Sequence, residues 1–385
     1  MTAQRIGIDY TSAVRQGAGI GRLTRELVRA LIDLDTDSRY ILLAATAGIH
    51  GVSPALRAVQ GHPNVQAKTL PVSDRLLNLI WHRLRLPLWV EYWTGPLDIF
   101  HSPDFALPPV RSARSLVTVH DLSFMRVPEC SDPRLRAYLA RVVPASIRRA
   151  DMVLADSKST RDDVVALLGV DPACVEVVYA GVEERFQRVS DTEVLAAVRA
   201  RYQLPKRFVL GLGTLQPRKN FPRLIEAHAQ VRKKTGEGIG LVIAGGPGWM
   251  SEDIFYRMQE LGIQDSVRLP GYVADEDLPA LYSLADVFAF PSLYEGFGLP
   301  PLEAMACGTP VVASDVSSLP EVMGDAALMV NPYDVAALAE GIERLLSDAP
   351  LRALCIQRGL DQARQFTWKR SAARLLQMYQ RACRA

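Results

Sequence analysis

Two glutamates bracket a glycine-containing loop that precedes a predicted helix. Glu295 stands before Gly296 and Gly298, and Glu303 follows the Pro-Pro pair at the helix start. Glycine has no Cβ, so a ligand can approach its backbone closely, and the N–H groups at a helix start attract anions. The stretch therefore predicts a binding site for a phosphorylated, hydroxyl-rich ligand. The alternative is a tight loop in which Glu303 only favours the start of the helix.

Two basic residues form a second candidate group. Arg218 and Lys219 lie in the loop between the predicted strand 208–213 and a helix that begins at Pro222. Cations beside glycines and a helix start are well placed to hold a diphosphate.

Polar residues also follow two apolar strands in the first half of the chain. His101 and Asp104 end one strand, and His120 and Asp121 end the next. Ligands of open α/β sheets bind beyond the carboxyl ends of the strands, where a histidine can bond a hydroxyl or transfer a proton. The alternative is a loop histidine whose nitrogens are satisfied by the backbone.

Two α/β halves carry these residues. Strand and helix patterns alternate along the chain, which predicts two parallel sheets with the ligand in the cleft between them. The predicted strands fall into two sets: 5–10, 40–45, 98–104, 116–122, 152–155 and 176–179, then 208–213, 240–246, 266–269, 287–290 and 310–313.

A glycine loop at residues 17–22 follows the first predicted strand and suggests a Rossmann-type half. Gly19 and Gly21 fit the start of a dinucleotide fingerprint, but Arg22 stands where a third glycine or alanine is needed. The second strand ends at Thr46 instead of an acidic residue, which disfavours an NAD-dependent oxidoreductase.

Composition excludes several classes of protein. The 385 residues predict two domains, and the net charge of +2 gives no general case for nucleic-acid binding. The five cysteines contain no C-x-x-C pair, which favours reduced thiols over disulfides or zinc. We see no signal peptide or membrane-spanning run and expect a cytoplasmic protein. The D-x-D sequences at 35–37 and 275–277 lie at helix ends, where capping explains them better than metal binding.

The segment 75–93 mixes arginine, leucine and tryptophan. Basic residues interleaved with aromatic residues can rest on an anionic membrane, so this segment is a candidate for weak contact with the inner membrane. The alternative is a buried helix whose arginines reach the rim.

The chain resembles the family-four glycosyltransferases, retaining enzymes of the GT-B fold, and is most similar to the branch that builds bacterial O-antigen and exopolysaccharide. The resemblance extends over nearly the whole chain. It rests on motifs in family order at 17–22, 100–103, 119–122, 213–220 and 271–273, and on Glu295 with Glu303.

The resemblance implies two Rossmann-like domains facing across a cleft. Residues 1–190 would form the acceptor domain and 191–367 the nucleotide-sugar donor domain, and the helix at about 368–385 would return to the first domain. The reaction implied is metal-independent transfer of a hexose, first of all mannose from GDP-mannose, to a glycan or a lipid-linked saccharide. No cofactor is expected besides the nucleotide-sugar, GDP- or UDP-linked. A GT-B epimerase or phosphorylase and a non-catalytic sugar-binding protein are the alternatives.

The resemblance also implies roles for single residues. Glu303 would bind the ribose, Glu295 would lie near the transferred sugar, and Arg218 and Lys219 would neutralise the diphosphate. His120 would contact the sugar. The other implied donor contacts are Gly19, Gly21, Thr214, Tyr272, Val273, Gly296, Phe297, Gly298 and Leu299, and the acceptor side is His101, Asp104 and Asp121. Thr214 departs from the pattern, because many relatives carry arginine there.

Overall fold

The computed structural model describes residues 3–17, 19–84, 86–235 and 238–384. Ala18 of the glycine loop and Arg85 of the segment 75–93 therefore lie outside the described residues. The chain forms two compact units. Unit 1 contains Met1–Leu122, Arg134–Gly181 and Thr367–Ala385, and unit 2 contains Ser123–Pro133 and Val182–Phe366.

Strands and helices alternate through most of both units. The strands are β1 (Arg5–Asp9), β2 (Arg39–Ala45), β3 (Val65–Leu70), β4 (Ile99–Ser102), β5 (Arg114–Val119), β6 (Met152–Ala155), β7 (Val175–Val177), β8 (Phe208–Leu212), β9 (Gly240–Ala244), β10 (Val267–Gly271), β11 (Val287–Phe290), β12 (Val311–Ser314) and β13 (Ala327–Val330). The helices are α1 (Thr11–Arg15), α2 (Ile20–Leu34), α3 (Pro54–Val59), α4 (Asp74–Asn78), α5 (Glu91–Thr94), α6 (Ser123–Arg126), α7 (Pro133–Ile147), α8 (Lys158–Leu168), α9 (Thr192–Arg201), α10 (Phe221–Thr235), α11 (Glu252–Glu260), α12 (Leu278–Leu284), α13 (Leu299–Ala306), α14 (Leu319–Met323), α15 (Val335–Ser347), α16 (Ala349–Ala363) and α17 (Trp368–Arg384).

The sheet of unit 1 has the order β3-β2-β1-β4-β5-β6-β7, and its strand pairs are parallel. The chain order reverses between β1 and β4, and such a reversal opens a crevice at the carboxyl ends of these strands. Apolar residues recur at helical spacing in α2, and its buried face includes Leu27 and Leu31. The C-terminal helix α17 packs against α2.

The sheet of unit 2 has the order β10-β9-β8-β11-β12-β13, again with parallel pairs. Its reversal lies between β8 and β11. Strands β8 and β11 are buried apolar runs, which is typical of parallel strands covered by helices on both faces. The loops that carry Lys219 and Glu295 therefore leave neighbouring strands at the same edge of this sheet.

The units differ from the expected domain boundaries in two places. The main segment of unit 2 begins at Val182 instead of residue 191. Unit 2 also includes Ser123–Pro133, which lies in the first half of the sequence. Val127 and Cys130 pack against Tyr294, and Trp249 Nε1 donates a hydrogen bond to the Cys130 carbonyl at 2.9 Å. Long-range side-chain contacts of this kind leave no signal in local sequence patterns.

The structure contains two strands that were not predicted from the sequence, β3 and β13. Both are edge strands, and each has only one buried residue. A half-buried edge strand needs fewer apolar residues than a central strand, so its sequence pattern is weaker.

Candidate functional site

The loops after β8 and β11 are joined by backbone and side-chain hydrogen bonds. Leu293 N–H donates to the carbonyl of Arg218 at 2.8 Å, and Asn220 Nδ2 donates to the carbonyl of Pro291 at 2.9 Å. Residues Pro217–Lys219 form a single 3₁₀ turn. The two loops are thereby held in a fixed register beyond the strand reversal of unit 2.

Glu295 joins both predicted phosphate-binding cations. Its Oε1 lies 2.6 Å from Lys219 Nζ, and its Oε2 lies 2.8 Å from Arg218 Nη1. The side chains of Glu295 and Lys219 are each 10% exposed, and that of Arg218 is 17% exposed. This cluster, called the ion triad below, has a formal charge of +1 and can accept an anion.

The charge of Glu295 is set by two opposing effects. Burial raises the pKa of this carboxyl, but Arg218 and Lys219 outweigh burial and lower it to about 2. Glu295 is therefore a carboxylate at neutral pH, and it can orient the two cations without neutralising both.

Lys219 is positioned by a glycine and an aromatic ring. Gly213 has φ +150°, and a Cβ there would lie 3.0 Å from Lys219 Cε. The Lys219 ammonium lies 4.8 Å from the centre of the Phe290 ring, within cation–π range. The Lys219 side chain therefore crosses the backbone of Gly213, just after β8, where a Cβ would obstruct it.

Two serines that the sequence analysis missed hold the backbone of Glu295. The Glu295 N–H donates to Ser317 Oγ at 2.9 Å, and Ser318 Oγ lies 2.9 Å from the carbonyl oxygens of both Glu295 and Phe297. Both serines follow β12, the neighbour of β11. Polar residues after a buried strand are the signal that could have identified them.

Gly298 precedes α13 with φ +105°, and a Cβ there would lie 2.7 Å from Leu319 Cδ2. Glycine is thus needed for both conformation and space. Gly296 and Phe297 are buried beside it, and Leu299 is the first helical residue. The predicted contacts of these residues with a sugar stay predictions.

Glu303 lies on α13 with only 2% of its surface exposed. Its Oε2 accepts a hydrogen bond from Tyr282 OH at 2.9 Å. Tyr282 stands on α12 and was not recognised in the sequence. Ribose binding by Glu303 stays a prediction.

The expected donor contacts Tyr272, Val273 and Thr214 differ in exposure. The Tyr272 ring is 61% exposed, and its hydroxyl donates to Asp275 Oδ1 at 3.0 Å, whereas Val273 is buried. Thr214 is exposed after β8. Of Tyr272 and Val273, only Tyr272 presents a side chain at the surface of unit 2.

In unit 1, both ring nitrogens of His120 have protein partners. Nδ1 donates to Asp156 Oδ2 at 2.7 Å, and Nε2 donates to the Pro103 carbonyl at 2.8 Å. Burial lowers the pKa of His120, but Asp156, aided by Asp104, outweighs burial and raises it to about 9. The ring is therefore an imidazolium at neutral pH. Asp156 was not recognised in the sequence.

His101, which was expected on the acceptor side, is buried with both ring nitrogens bonded. The residue is 1% exposed, its Nδ1 lies 2.8 Å from Tyr379 OH, and its Nε2 lies 2.8 Å from Thr118 Oγ1. Burial, with a smaller contribution from His120, lowers the pKa of His101 to about 3, so the ring is neutral. Its observed contacts tie β4 to β5 and α17.

The remaining candidate residues of unit 1 differ in their surroundings. A Cβ on Gly21 would lie 2.3 Å from the Gln16 carbonyl, so this glycine permits close packing, whereas Gly19 has φ +59° and open space around it. Asp104 lines a cavity, and Asp121 is half-buried two residues after β5.

The segment 75–93 contains α4, a π-helical turn (Leu79–Arg83) and α5. Trp81 is buried, and its Nε1 donates to the Leu88 carbonyl at 2.9 Å. Several large apolar residues of the segment are exposed: Leu76, Leu79, Leu84, Leu86, Leu88 and Tyr92. Within the described part of the chain, no helix combines the length and apolar character needed to span a bilayer.

No cluster of three or more His, Cys, Asp or Glu side chains with metal-binding geometry occurs among the residues that the structure describes. Asp277 of the second D-x-D sequence instead accepts hydrogen bonds from Arg201 at 2.6 Å and Tyr202 OH at 2.7 Å.

Two family models match the chain: Glycosyltransferase Family 4 over residues 17–186 and Glycosyl transferases group 1 over residues 198–362. The O-antigen chain mannosyltransferase B of Escherichia coli is 36% identical over 283 residues, which cover 73% of this chain and 74% of that protein. A D-inositol 3-phosphate glycosyltransferase of Salinispora arenicola (strain CNS-205) is 34% identical over 77% of this chain and 68% of that protein. Sucrose-phosphate synthase from Thermosynechococcus elongatus has the same fold, with a TM-score of 0.74, 23% identity and coverage of 98% of both chains.

Proposed function

Because the chain belongs to the family-four glycosyltransferases, we propose that it transfers mannose from GDP-mannose to a glycan or lipid-linked saccharide in bacterial surface polysaccharide synthesis. The observation that carries the proposal is the ion triad at the strand reversal of unit 2, where ligands of open α/β sheets bind. The name of the mannosyltransferase relative supports the choice of sugar.

The ion triad fits the chemistry of a nucleoside diphosphate leaving group. When the bond between sugar C1 and the phosphate oxygen breaks, negative charge develops on the diphosphate. Preorganised cations aimed at that charge lower the barrier, and they are more effective when water is excluded. Lys219 and Arg218 would bind the diphosphate, and Glu295 would orient them and lie near the sugar.

We propose retention through attack on the same face of the sugar. The acceptor oxygen bonds to C1 as the phosphate oxygen leaves, and the acceptor's hydroxyl proton passes to the departing phosphate. The donor's own leaving group then serves as the base, and Arg218 and Lys219 supply the positive charge without a metal ion. A covalent intermediate on Glu295 is the alternative, but both of its oxygens already bind cations.

A panel of nucleotides tests the proposal directly. We expect GDP and GDP-mannose to raise the unfolding temperature more than UDP or ADP. A ligand at a hundredfold excess over its Kd adds about 3 kcal/mol to the unfolding free energy, so the nucleotide that binds most tightly gives the largest shift. Transfer is then followed by mass spectrometry with oligomannoside acceptors. Stabilisation by no nucleotide would contradict the proposed function.

Other outcomes separate the alternatives. Use of free phosphate as the acceptor, or conversion of the donor without any acceptor, would favour an epimerase or phosphorylase. Tight binding of free sugar without nucleotide would favour a non-catalytic sugar-binding protein.

We also propose that the protein works in the cytoplasm and that the exposed leucines of segment 75–93 contact the inner membrane weakly. We expect Leu84→Glu with Leu86→Glu to reduce sedimentation with anionic liposomes severalfold, because apolar contact with the bilayer is lost. Leu261→Glu with Leu354→Glu, which changes two exposed leucines outside the segment, is the matched control and should have no effect. Equal sedimentation of all three proteins would contradict the membrane contact.

A further inference from the structure

The segment Ser123–Pro133, called the strap below, belongs to unit 2 although both of its ends continue into unit 1. It follows Leu122, shortly after β5, and the chain re-enters unit 1 at Arg134 in the first turn of α7. Between these points it forms α6 and a 3₁₀ turn at Pro128–Cys130. A segment that is covalently joined to one unit and packed in the other needs contacts that hold it there.

One such contact is a hydrogen bond from the loop after β9. Trp249 Nε1 donates to the Cys130 carbonyl at 2.9 Å. This loop is itself packed on the loop after β8: Leu215 N–H donates to the Gly246 carbonyl at 3.0 Å, and a Cβ on Gly248 would lie 2.3 Å from the Leu215 carbonyl oxygen. Trp249 is therefore presented from a closely packed part of the edge of the sheet that carries the ion triad.

The backbone next to Trp249 has an unusual conformation. Met250 has φ +52°, in the left-handed region that residues with a Cβ rarely adopt, and its side chain is exposed. Strain of this kind persists where the surrounding structure requires it, and it is common in functional regions. The turn at Met250 therefore supports a role for the position of the Trp249 ring.

Tyr294 connects the strap to the ion triad. Its buried side chain packs against Val127 and Cys130, and its carbonyl accepts a hydrogen bond from Arg218 Nη1 at 2.7 Å. The next residue is Glu295, whose Oε2 lies 2.8 Å from the same Arg218 nitrogen. A shift of Tyr294 would therefore move both groups that hold the Arg218 guanidinium.

The Cys130 thiol lies close enough to the ion triad to respond to its charge. Burial and Glu129 raise the pKa of this thiol, and Arg218 acts against them. The residue is 4% exposed. Because alkylating reagents react with accessible thiolates, Cys130 should react slowly while the strap is in place.

We propose that Trp249 is a positioning residue for the transfer reaction. Its hydrogen bond to Cys130 holds the strap against Tyr294, and the docked strap fixes Arg218 and Glu295 for the diphosphate. Strap docking and nucleotide binding then stabilise each other, and such a coupling acts equally in both directions. The inference rests on the proposed function, because it concerns the same nucleotide site.

Alkylation by iodoacetamide, followed at each cysteine by mass spectrometry of peptides, measures how often the strap leaves its site. We expect Trp249→Phe to speed alkylation of Cys130 about 3–10-fold, because a hydrogen bond is lost while an aromatic ring remains. Cys355, a buried cysteine of α16, reports general opening of unit 2 and should react at the wild-type rate.

Trp368→Phe is the matched control. It makes the same substitution at a tryptophan whose Nε1 has no hydrogen-bond partner among the described residues, so Cys130 should react as in the wild type. Val127→Ala is a second test variant, which keeps the Trp249 hydrogen bond and removes part of the packing against Tyr294. It should also speed alkylation of Cys130 severalfold, and it tests the strap even if Trp249→Phe does not fold.

A further measurement separates positioning from a merely structural role. Saturating GDP should slow alkylation of Cys130 in the wild type by about 5-fold or more, and Cys355 by less. Protein already alkylated at Cys130, in which the strap cannot dock, should bind GDP more weakly by the same factor in calorimetric titration. Turnover of Trp249→Phe, counted per GDP-binding site, should fall by about 10-fold, because Arg218 is no longer held in place.

Wild-type alkylation of Cys130 in both test variants, or equal GDP affinity of the unmodified and the alkylated protein, would overturn the positioning role. Because GDP binds in that case, the proposed function would stay intact. Failure of every nucleotide to bind would instead refute the proposed function, and the alkylation rates without nucleotide would still decide whether Trp249 holds the strap.

Discussion

Replacing Lys219 by methionine should lower turnover by about 10²–10³-fold, which is the usual cost of removing one preorganised group that stabilises developing negative charge. Methionine keeps an aliphatic stem over Gly213, so the change removes the ammonium and little packing. The loss should appear mainly in kcat, because charge on the diphosphate grows as the sugar leaves. Steady-state kinetics with GDP-mannose measure the effect.

The fold should survive this change, because Glu295 keeps its partner Arg218 at 2.8 Å. Lys234→Met is the matched control: Lys234 also pairs with a glutamate, Glu343 at 2.8 Å, but its side chain is 59% exposed. This exposed pair is screened by water and lies outside the ion triad, so the control should keep wild-type turnover. Equal turnover in Lys219→Met and the control would refute the proposed role of Lys219.

Replacing Glu295 by glutamine should have opposite effects on stability and on nucleotide binding. Arg218 and Lys219 lose their shared carboxylate in a buried site, and breaking such a pair costs about 3–5 kcal/mol of unfolding free energy. The same two cations become available to a diphosphate, so GDP should bind more tightly than to the wild type. Turnover should nevertheless fall by about 10²-fold or more, because the cations and the sugar lose their orientation.

The stability effect has a defined pH dependence. The pKa of Glu295 falls from 4.5 in the unfolded chain to about 2 in the folded protein. The folded state therefore binds fewer protons, and the stabilisation is present above pH 4.5 and lost as the pH falls towards 2. Its size is about 3 kcal/mol at neutral pH.

Denaturant unfolding at several pH values measures this contribution. The difference in unfolding free energy between wild type and Glu295→Gln should shrink as the pH is lowered from 4.5. Glu343→Gln, from the exposed pair with Lys234, should show a much smaller difference throughout. A pH-independent difference, or weaker GDP binding by Glu295→Gln, would contradict the account of the ion triad.

Much of the fold could be predicted from local patterns. Buried parallel strands are continuous apolar runs, so β1, β8 and β11 were located within a few residues. The edge strands β3 and β13 bury less than the central strands and were not predicted, although the equally half-buried edge strands β7 and β10 were.

The candidate site was only partly predictable. The residue types after the strands indicated an anion site, but not which side chains contact each other. Nothing in the sequence shows that Glu295 holds both Arg218 and Lys219, since 76 residues separate the members of the Lys219–Glu295 bond. The structure also assigned His101 to contacts with Thr118 and Tyr379, which lies 278 residues away in sequence.

The sequence alone determined the two α/β halves, the family and the strand-end residues that could do chemistry. The periodicity of apolar residues, the turn residues and the motifs are all local properties of the chain. The tertiary structure decided the pairing of charges in the ion triad, the burial of His101 and the inclusion of Ser123–Pro133 in unit 2. These features depend on which distant residues meet and how much water the packing excludes. Both factors set the strength of a charge interaction, and neither is encoded in a short stretch of chain.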